Sequence, residues 1–217
     1  MFQIAGFFSF CHLNPNAIRN TIYQRKGDNR MEYRKPDEIV ELFKEKFNNK
    51  IIDHRIETKT AGLKKNSYNI IRLQINSEDL KDAVKLLFTL HFPHLAIISG
   101  NDVGEKVELI YHFSIYYGER FKEISIDLVI HLSKKDLRIP TITDLIPGAQ
   151  VTEREMKEMM GIIFEGLPDL PNLFLPQDFL KDIYPFRRDE KGIYPLSKNG
   201  NYVGNNIVKK EEVKKIE

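Results

Sequence analysis

Between Pro36 and Asn49 the chain reads PDEIVELFKEKFNN, and its apolar positions Ile39, Val40, Leu42, Phe43 and Phe47 return at helical spacing. Pro36 suits the first turn of a helix, and Asp37 and Glu38 suit the positive end of its dipole. The pattern then changes period. KIIDHRIETKT alternates as a strand does, and Ser67 to Asn76 predicts a second strand. SEDLKDAVKLLFTLHF returns to helical spacing through Leu80, Val84, Leu87 and Leu90, with Ser77 expected as its N-cap. HLAIISGNDV, VELIYHFSIYY and EISIDLVIHL predict three more strands, the last two joined by a hairpin turn at YGERFK.

The order helix–strand–strand–helix–strand–strand–strand predicts an α+β fold, with helices packed on a mainly antiparallel sheet. Residues 31–133 are expected to form this domain. After it the character changes, and Pro140, Pro147, Pro168, Pro171, Pro176, Pro185 and Pro195 punctuate the chain. Only one short helix is expected there, from Glu153 to Met160. Residues 134–190 nevertheless carry Leu145, Ile146, Ile162, Ile163, Phe164, Leu170, Leu173, Phe174, Leu175, Phe179 and Phe186. Solvated linkers lack such an apolar load. The segment reads as an extended arm that buries these side chains on its own domain or on a partner. Residues 191–217 read as a polar tail.

Composition narrows the function. The chain has 217 residues, with 33 basic against 31 acidic, a net charge of +2. That balance gives no basic face for nucleic acid. The single cysteine, Cys11, excludes an intrachain disulfide and any cysteine-held zinc or iron–sulfur site in this chain, and fits a reducing compartment. No apolar run reaches the roughly 18–20 residues of a membrane span. The N-terminal MFQIAGFFSFC is apolar but lacks the basic start and cleavage site of a signal peptide. Residues 1–30 show no clear periodicity and read as an irregular segment, and Met31 is expected to be the true initiator.

Chemistry-bearing clusters are sparse. In TEREMKEMMG, Thr152 and Glu155 have capping-box spacing, and Glu153–Lys157 and Arg154–Glu158 are i,i+4 pairs. Met156, Met159 and Met160 make its apolar side, and Gly161 stands at the C-cap. These charges read as helix-stabilising, while the methionines and arginine favour a contact surface. Glu155, Glu158 and Asp169 are the carboxylates that a divalent-metal hydrolase would use, although no histidine follows His131. Arg187 and Arg188 in IYPFRRDE follow aromatic residues and suit docking. His91 and His94 read as a helix end. His112 and His131 lie in strands and are expected to find local partners. SGND at Ser99–Asp102 reads as a turn, and no phosphate-binding glycine loop or nucleophile elbow occurs.

At ITDLIPGAQVTEREMKEMMGIIFEGLPDL, FLPQDF and YPFRRDE the sequence resembles the 30-kilodalton subunit family of respiratory complex I. The same module occurs in related membrane-bound, energy-converting nickel–iron hydrogenases. The resemblance spans about residues 36–190 and rests on Glu153, Arg154, Glu155, Gly161, Ile162, Phe164, Gly166, Pro168, Asp169, Leu170, Leu175, Pro176, Asp178, Pro185, Arg187 and Asp189. Glu158, Leu167, Phe186, Arg188 and Pro171–Asn172 depart from the family pattern and suggest a divergent branch, of hydrogenase or ferredoxin-linked type.

The resemblance implies a non-catalytic subunit of the peripheral arm, with no catalytic, cofactor-binding or metal-binding residues of its own. Iron–sulfur clusters, and in hydrogenases a nickel–iron centre, belong to partner subunits. The implied partners are the large subunit (49-kilodalton-like or hydrogenase large subunit) and the small iron–sulfur subunit. The implied place is the cytoplasmic side of the cell membrane, peripherally held. The implied interface is Glu153, Arg154, Glu155, Glu158, Gly161, Phe164, Pro168, Asp169, Arg187, Arg188 and Asp189. The competing readings are a metal-dependent hydrolase using Glu155, Glu158 and Asp169, and a stand-alone binding module.

Overall fold

The computed structural model describes residues 33–48, 50–63, 66–118, 121–179 and 182–188. Cys11, Met31 and Asp189 therefore lie outside the described residues.

Helix α1, Pro36–Lys46, opens on Pro36, and the Glu38 carboxylate accepts the Lys35 N–H. Its buried side is Ile39, Val40 and Phe43, as the spacing predicts. Strands β1 (Asp53–Ala61) and β2 (Asn66–Gln74) form an antiparallel hairpin. Ser77 does not cap a helix: Ser77–Asp79 is a single 3₁₀ turn, and helix α2 runs Leu80–Leu90. Leu80, Ala83, Val84, Leu87 and Leu90 form its buried side. Strands β3 (His94–Asp102), β4 (Lys106–Ile115) and β5 (Ile124–Ser133) follow. The β4–β5 hairpin pairs from Ile115↔Ile124 outward, so the turn lies where YGERFK predicts it.

The five strands are ordered β1-β2-β5-β4-β3. Only β2–β5 is parallel, which makes the sheet mixed but mainly antiparallel. Alternation assigns its two faces. Ile71, Leu73, Ile98, Leu109, Tyr111, Phe113, Ile126, Leu128 and Ile130 lie on the core side. Burying each such side chain contributes about 1.5–3 kcal/mol. The opposite face carries Arg72, Glu108, His112, Asp127 and His131 and is partly open to water.

The chain after residue 133 adds a second layer beside β3. Strand β6 (Arg138–Pro140) pairs in parallel with β7 (Ile163–Glu165), and helix α3 (Ala149–Met160) lies between them in sequence. The contact with β3 is intimate at Gly100, where an added Cβ would lie 2.9 Å from Met156 Sδ. The short helix thus starts at Ala149, one turn before Glu153. The buried Ala149 extends its inner stripe backward through the sequence PGAQ.

Phe43 is fully buried in this core. Phe43→Ala is expected to lower the unfolding free energy by about 3–5 kcal/mol, read from urea denaturation.

Candidate functional site

The inward stripe of α3 is Ala149, Glu153, Met156 and Met160. Their spacing of four, three and four is that of an apolar seam, yet one member is a carboxylate. Glu153 is fully buried. It accepts the Thr141 hydroxyl and the Ile142 N–H, the latter at 2.9 Å, and so ties the helix to the end of β6. Burial pushes its pKa up, against the lowering effect of the Ile142 and Thr141 hydrogen bonds. The Tyr111 hydroxyl is also buried, and it has no hydrogen-bond partner among the described residues. Burial, and after it the charge of Glu153, drives the Tyr111 pKa up.

The outer side of α3 gathers the arm. Glu158 accepts three consecutive backbone N–H groups, Leu173 at 2.6 Å, Phe174 at 2.8 Å and Leu175 at 2.9 Å. This is a small anion nest occupied by a side chain of the same molecule. Arg154 Nη2 donates to the Pro171 carbonyl at 2.6 Å, and Lys157 Nζ to Asp169 at 2.8 Å. The Lys157 hydrogen bond lowers the Asp169 pKa. Asn172 and Gln177 close the loop with reciprocal side-chain to backbone bonds. The i,i+4 pairs read from the sequence do not form, because these charges reach backbone and side-chain groups 11–17 residues away. The capping box is also absent: with the helix starting earlier, Thr152 donates to the Ala149 carbonyl at 3.1 Å.

The C-terminus of α3 is capped by the last described segment. Gly161 adopts φ 71°, the left-handed conformation expected at that position. Any Cβ there would come within 2.5 Å of the Tyr184 ring. Phe186 N–H donates to Met159 O at 3.0 Å, and Arg187 Nε to Met160 O at 2.8 Å. The Arg187 guanidinium sits 4.2 Å from the Tyr184 ring centre. A cation at a helix C-terminus also answers the dipole.

Asp102, read from the sequence as part of a turn, ends strand β3 and belongs to the same construction. Its buried carboxylate accepts Lys134 Nζ at 2.7 Å, Arg188 N–H at 2.8 Å and Gly104 N–H at 3.0 Å. Loss of water around it works to raise its pKa. The bonds from Lys134, Arg188 and Gly104 outweigh that and hold it at about 2. Nothing in the local sequence announces this role, since both main partners are distant in the chain.

The expected interface residues thus fall into two groups. Glu153, Glu158 and Phe164 are buried, Arg154 and Glu155 are half-buried, and Gly161 and Arg187 hold the helix end. Pro168, Asp169 and Arg188 are exposed, although the Arg188 N–H is spent on Asp102. The arm's apolar side chains divide likewise. Met156, Met160, Ile162 and Phe164 are buried within the chain, whereas Leu170, Leu173, Phe174 and Phe186 are 41–48% exposed. An open groove of about 500 Å³ runs between the end of α3 and the arm, with Ile162, Ile163, Leu175 and Tyr184 among its walls.

Little here favours metal-dependent hydrolysis. Glu158 is committed to backbone donors, and the Asp169 side chain is 97% exposed against Lys157. Among the described residues, no group of three or more histidine, cysteine or acidic side chains is placed to hold a metal ion. His112 and His131 have the local partners expected of them, His112 with Asp127 and Ser99, and His131 with Glu108.

The family described as respiratory-chain NADH dehydrogenase, 30 Kd subunit, matches residues 73–195. Membrane-bound hydrogenase subunit beta of Pyrococcus furiosus is 35% identical over 122 residues, which are 56% of this chain and 70% of that protein. A subunit of NADH-quinone oxidoreductase from Chloroherpeton thalassium is 35% identical over 103 residues, 47% of this chain and 41% of that protein. The match thus spans less than half the length of the second relative. A chain in the structure of the membrane-bound sulfane sulfur reductase, an archaeal respiratory membrane complex, shares the fold. Its TM-score is 0.54 at 21% identity, covering 71% of this chain and 84% of that one.

The buried Glu153 has a pH signature. Its folded pKa lies above the ordinary glutamate value of 4.5, so folding favours the protonated acid. That contribution is fully present below the unfolded pKa and is lost as pH rises through the folded one. Wild-type protein is expected to lose stability as pH rises above 4.5, relative to Glu153→Gln, which keeps an acceptor for Ile142 N–H. Urea unfolding of both proteins from acid to neutral pH measures the difference.

Proposed function

Because the chain belongs to the 30 Kd subunit family of respiratory-chain NADH dehydrogenase, we propose that it is a docking subunit of a complex I-like or hydrogenase complex, with the redox chemistry carried by its partners. Its relatives are subunits of such complexes. The α+β domain is the platform, and the arm from residue 167 onward is the contact element. The partners are the large subunit and the small iron–sulfur subunit, which hold the electron carriers. The chain sits peripherally on the cytoplasmic side of the membrane. Among the described residues no helix is long and apolar enough to cross a membrane.

One observation carries this reading. Leu173, Phe174 and Phe186 stay 46–48% exposed although their backbone N–H groups are held by Glu158 and Met159, and Leu170 beside them is 41% exposed. Large apolar side chains exposed on an ordered segment form the kind of patch that marks a protein interface. Aromatic side chains dominate the energetics of such contacts. The ordering cost is met within the chain before the partner arrives, which favours tight association. The Pyrococcus relative suits a hydrogenase-type assembly, and the family name suits an NADH-linked one.

The test is co-purification. Leu173→Asp/Phe174→Asp in the tagged native chain, extracted in mild detergent, is expected to lose the large subunit. The drop should be about thirtyfold or more, since removing a central aromatic anchor costs about 2 kcal/mol or more. The urea midpoint of the isolated variant should match wild type. Wild-type recovery of the partner would refute the proposal.

A further inference from the structure

The open face of the sheet carries an arrangement that docking does not use. His112 on β4 lies directly across from Asp127 on β5, and Ser99 on β3, paired with Ile110, lies diagonally across from His112 on the same face. Ser99 Oγ stands 2.9 Å from His112 Nε2, and His112 Nδ1 stands 2.8 Å from Asp127 Oδ1. With the ring proton on Nδ1 held by Asp127, Nε2 is left to accept the Ser99 hydroxyl proton. We propose that Ser99 is an activated nucleophile that takes acyl groups from small esters, with His112 as its general base and Asp127 orienting the imidazole.

The surroundings suit this chemistry. The face is reachable: the His112 side chain is 33% exposed, the Asp127 side chain 16%, and Ser99 is half-buried. Ile97, cross-strand from His112, is 45% exposed and offers an apolar contact for an acyl chain. β3 is the last strand of the sheet, so every second backbone N–H along it points away from the ladder. Such donors are what a developing oxyanion needs. The register of β3 shifts between Leu95 and Ile97, two residues before Ser99. Bulges of this kind re-aim the side chains that follow them.

The step balances within the site. Ser99 Oγ adds to the ester carbonyl carbon, and its proton moves to His112 Nε2. The tetrahedral adduct collapses, the bond to the alcohol oxygen breaks, and the departing alcohol takes the proton from His112. Water then enters by the same route and frees the acid and Ser99.

The full-length purified chain is mixed with p-nitrophenyl acetate and, separately, with a fluorophosphonate, and the adduct is located by peptide mass. The expected result is an adduct on Ser99. Nitrophenolate release should fall about 100-fold or more in Ser99→Ala and His112→Asn. Asp127→Asn should lower the rate while leaving Ser99 the labelled residue. Adduct mapping on the wild-type chain stands even if a variant fails to fold. Labelling at Cys11 or at scattered surface groups instead of Ser99, or equal release by folded Ser99→Ala, would overturn the proposal.

Discussion

The arm of this protein depends on one carboxylate. Glu158 meets the N–H groups of Leu173, Phe174 and Leu175, and those bonds fix the backbone that carries the exposed Leu173 and Phe174 side chains. Hydrogen bonds to a charged group contribute about 1.5–3 kcal/mol each. Fixing the backbone of a residue costs about 1–2 kcal/mol. A charged acceptor that serves three neighbours at once can therefore hold a proline-rich segment that has neither helix nor sheet pairing of its own. Neutral acceptors, at about 0.5–1.5 kcal/mol each, would fall short of that cost.

Glu158 can do this because α3 is itself anchored at both ends. Glu153 ties its inner side to Thr141 and Ile142, and Gly161 admits Tyr184 and Arg187 against its C-terminus. Met156 and Met160 seat it on β3 at Gly100, the residue whose missing side chain makes room. Asp102 at the end of the same strand then receives the Arg188 N–H. A single strand thus seats the second half of the helix at Gly100 and the end of the arm at its tip. The sheet supplies rigidity, the helix supplies charge, and the arm carries the contact surface.

Much of this is legible in the sequence, and the omissions have physical causes. Periodicity locates both early helices and all five strands of the main sheet, because their apolar positions face one core. It also finds the helix in the arm but places its start late, since PGAQ has no capping side chain and only the burial of Ala149 reveals the extra turn. Glu153 reads as a helix-stabilising partner of Lys157 because a carboxylate inside an apolar seam cannot be told from one beside it by spacing alone. Arg154, Lys157 and Glu158 have tempting neighbours at i,i+4. Arg154 and Glu158 instead meet backbone groups, which are invisible to a reading of side-chain types, and Lys157 meets Asp169 across a loop. Asp102 escapes notice for similar reasons, its partners being Lys134 and the amides of Gly104 and Arg188. The family motif is nonetheless the strongest signal in the chain, and its match to residues 73–195 covers the elements that build this clasp.

The arm is ordered by α3 before any partner binds. Amide hydrogen exchange of the isolated full-length chain tests it most directly, read at Leu173, Phe174, Leu175 and Phe186. The account predicts marked protection at all four, lost at the first three in Glu158→Gln while β4 and β5 stay protected. Exchange at the rate of an unstructured peptide in the wild-type chain would contradict it, and would mean that the arm takes its shape only on the partner.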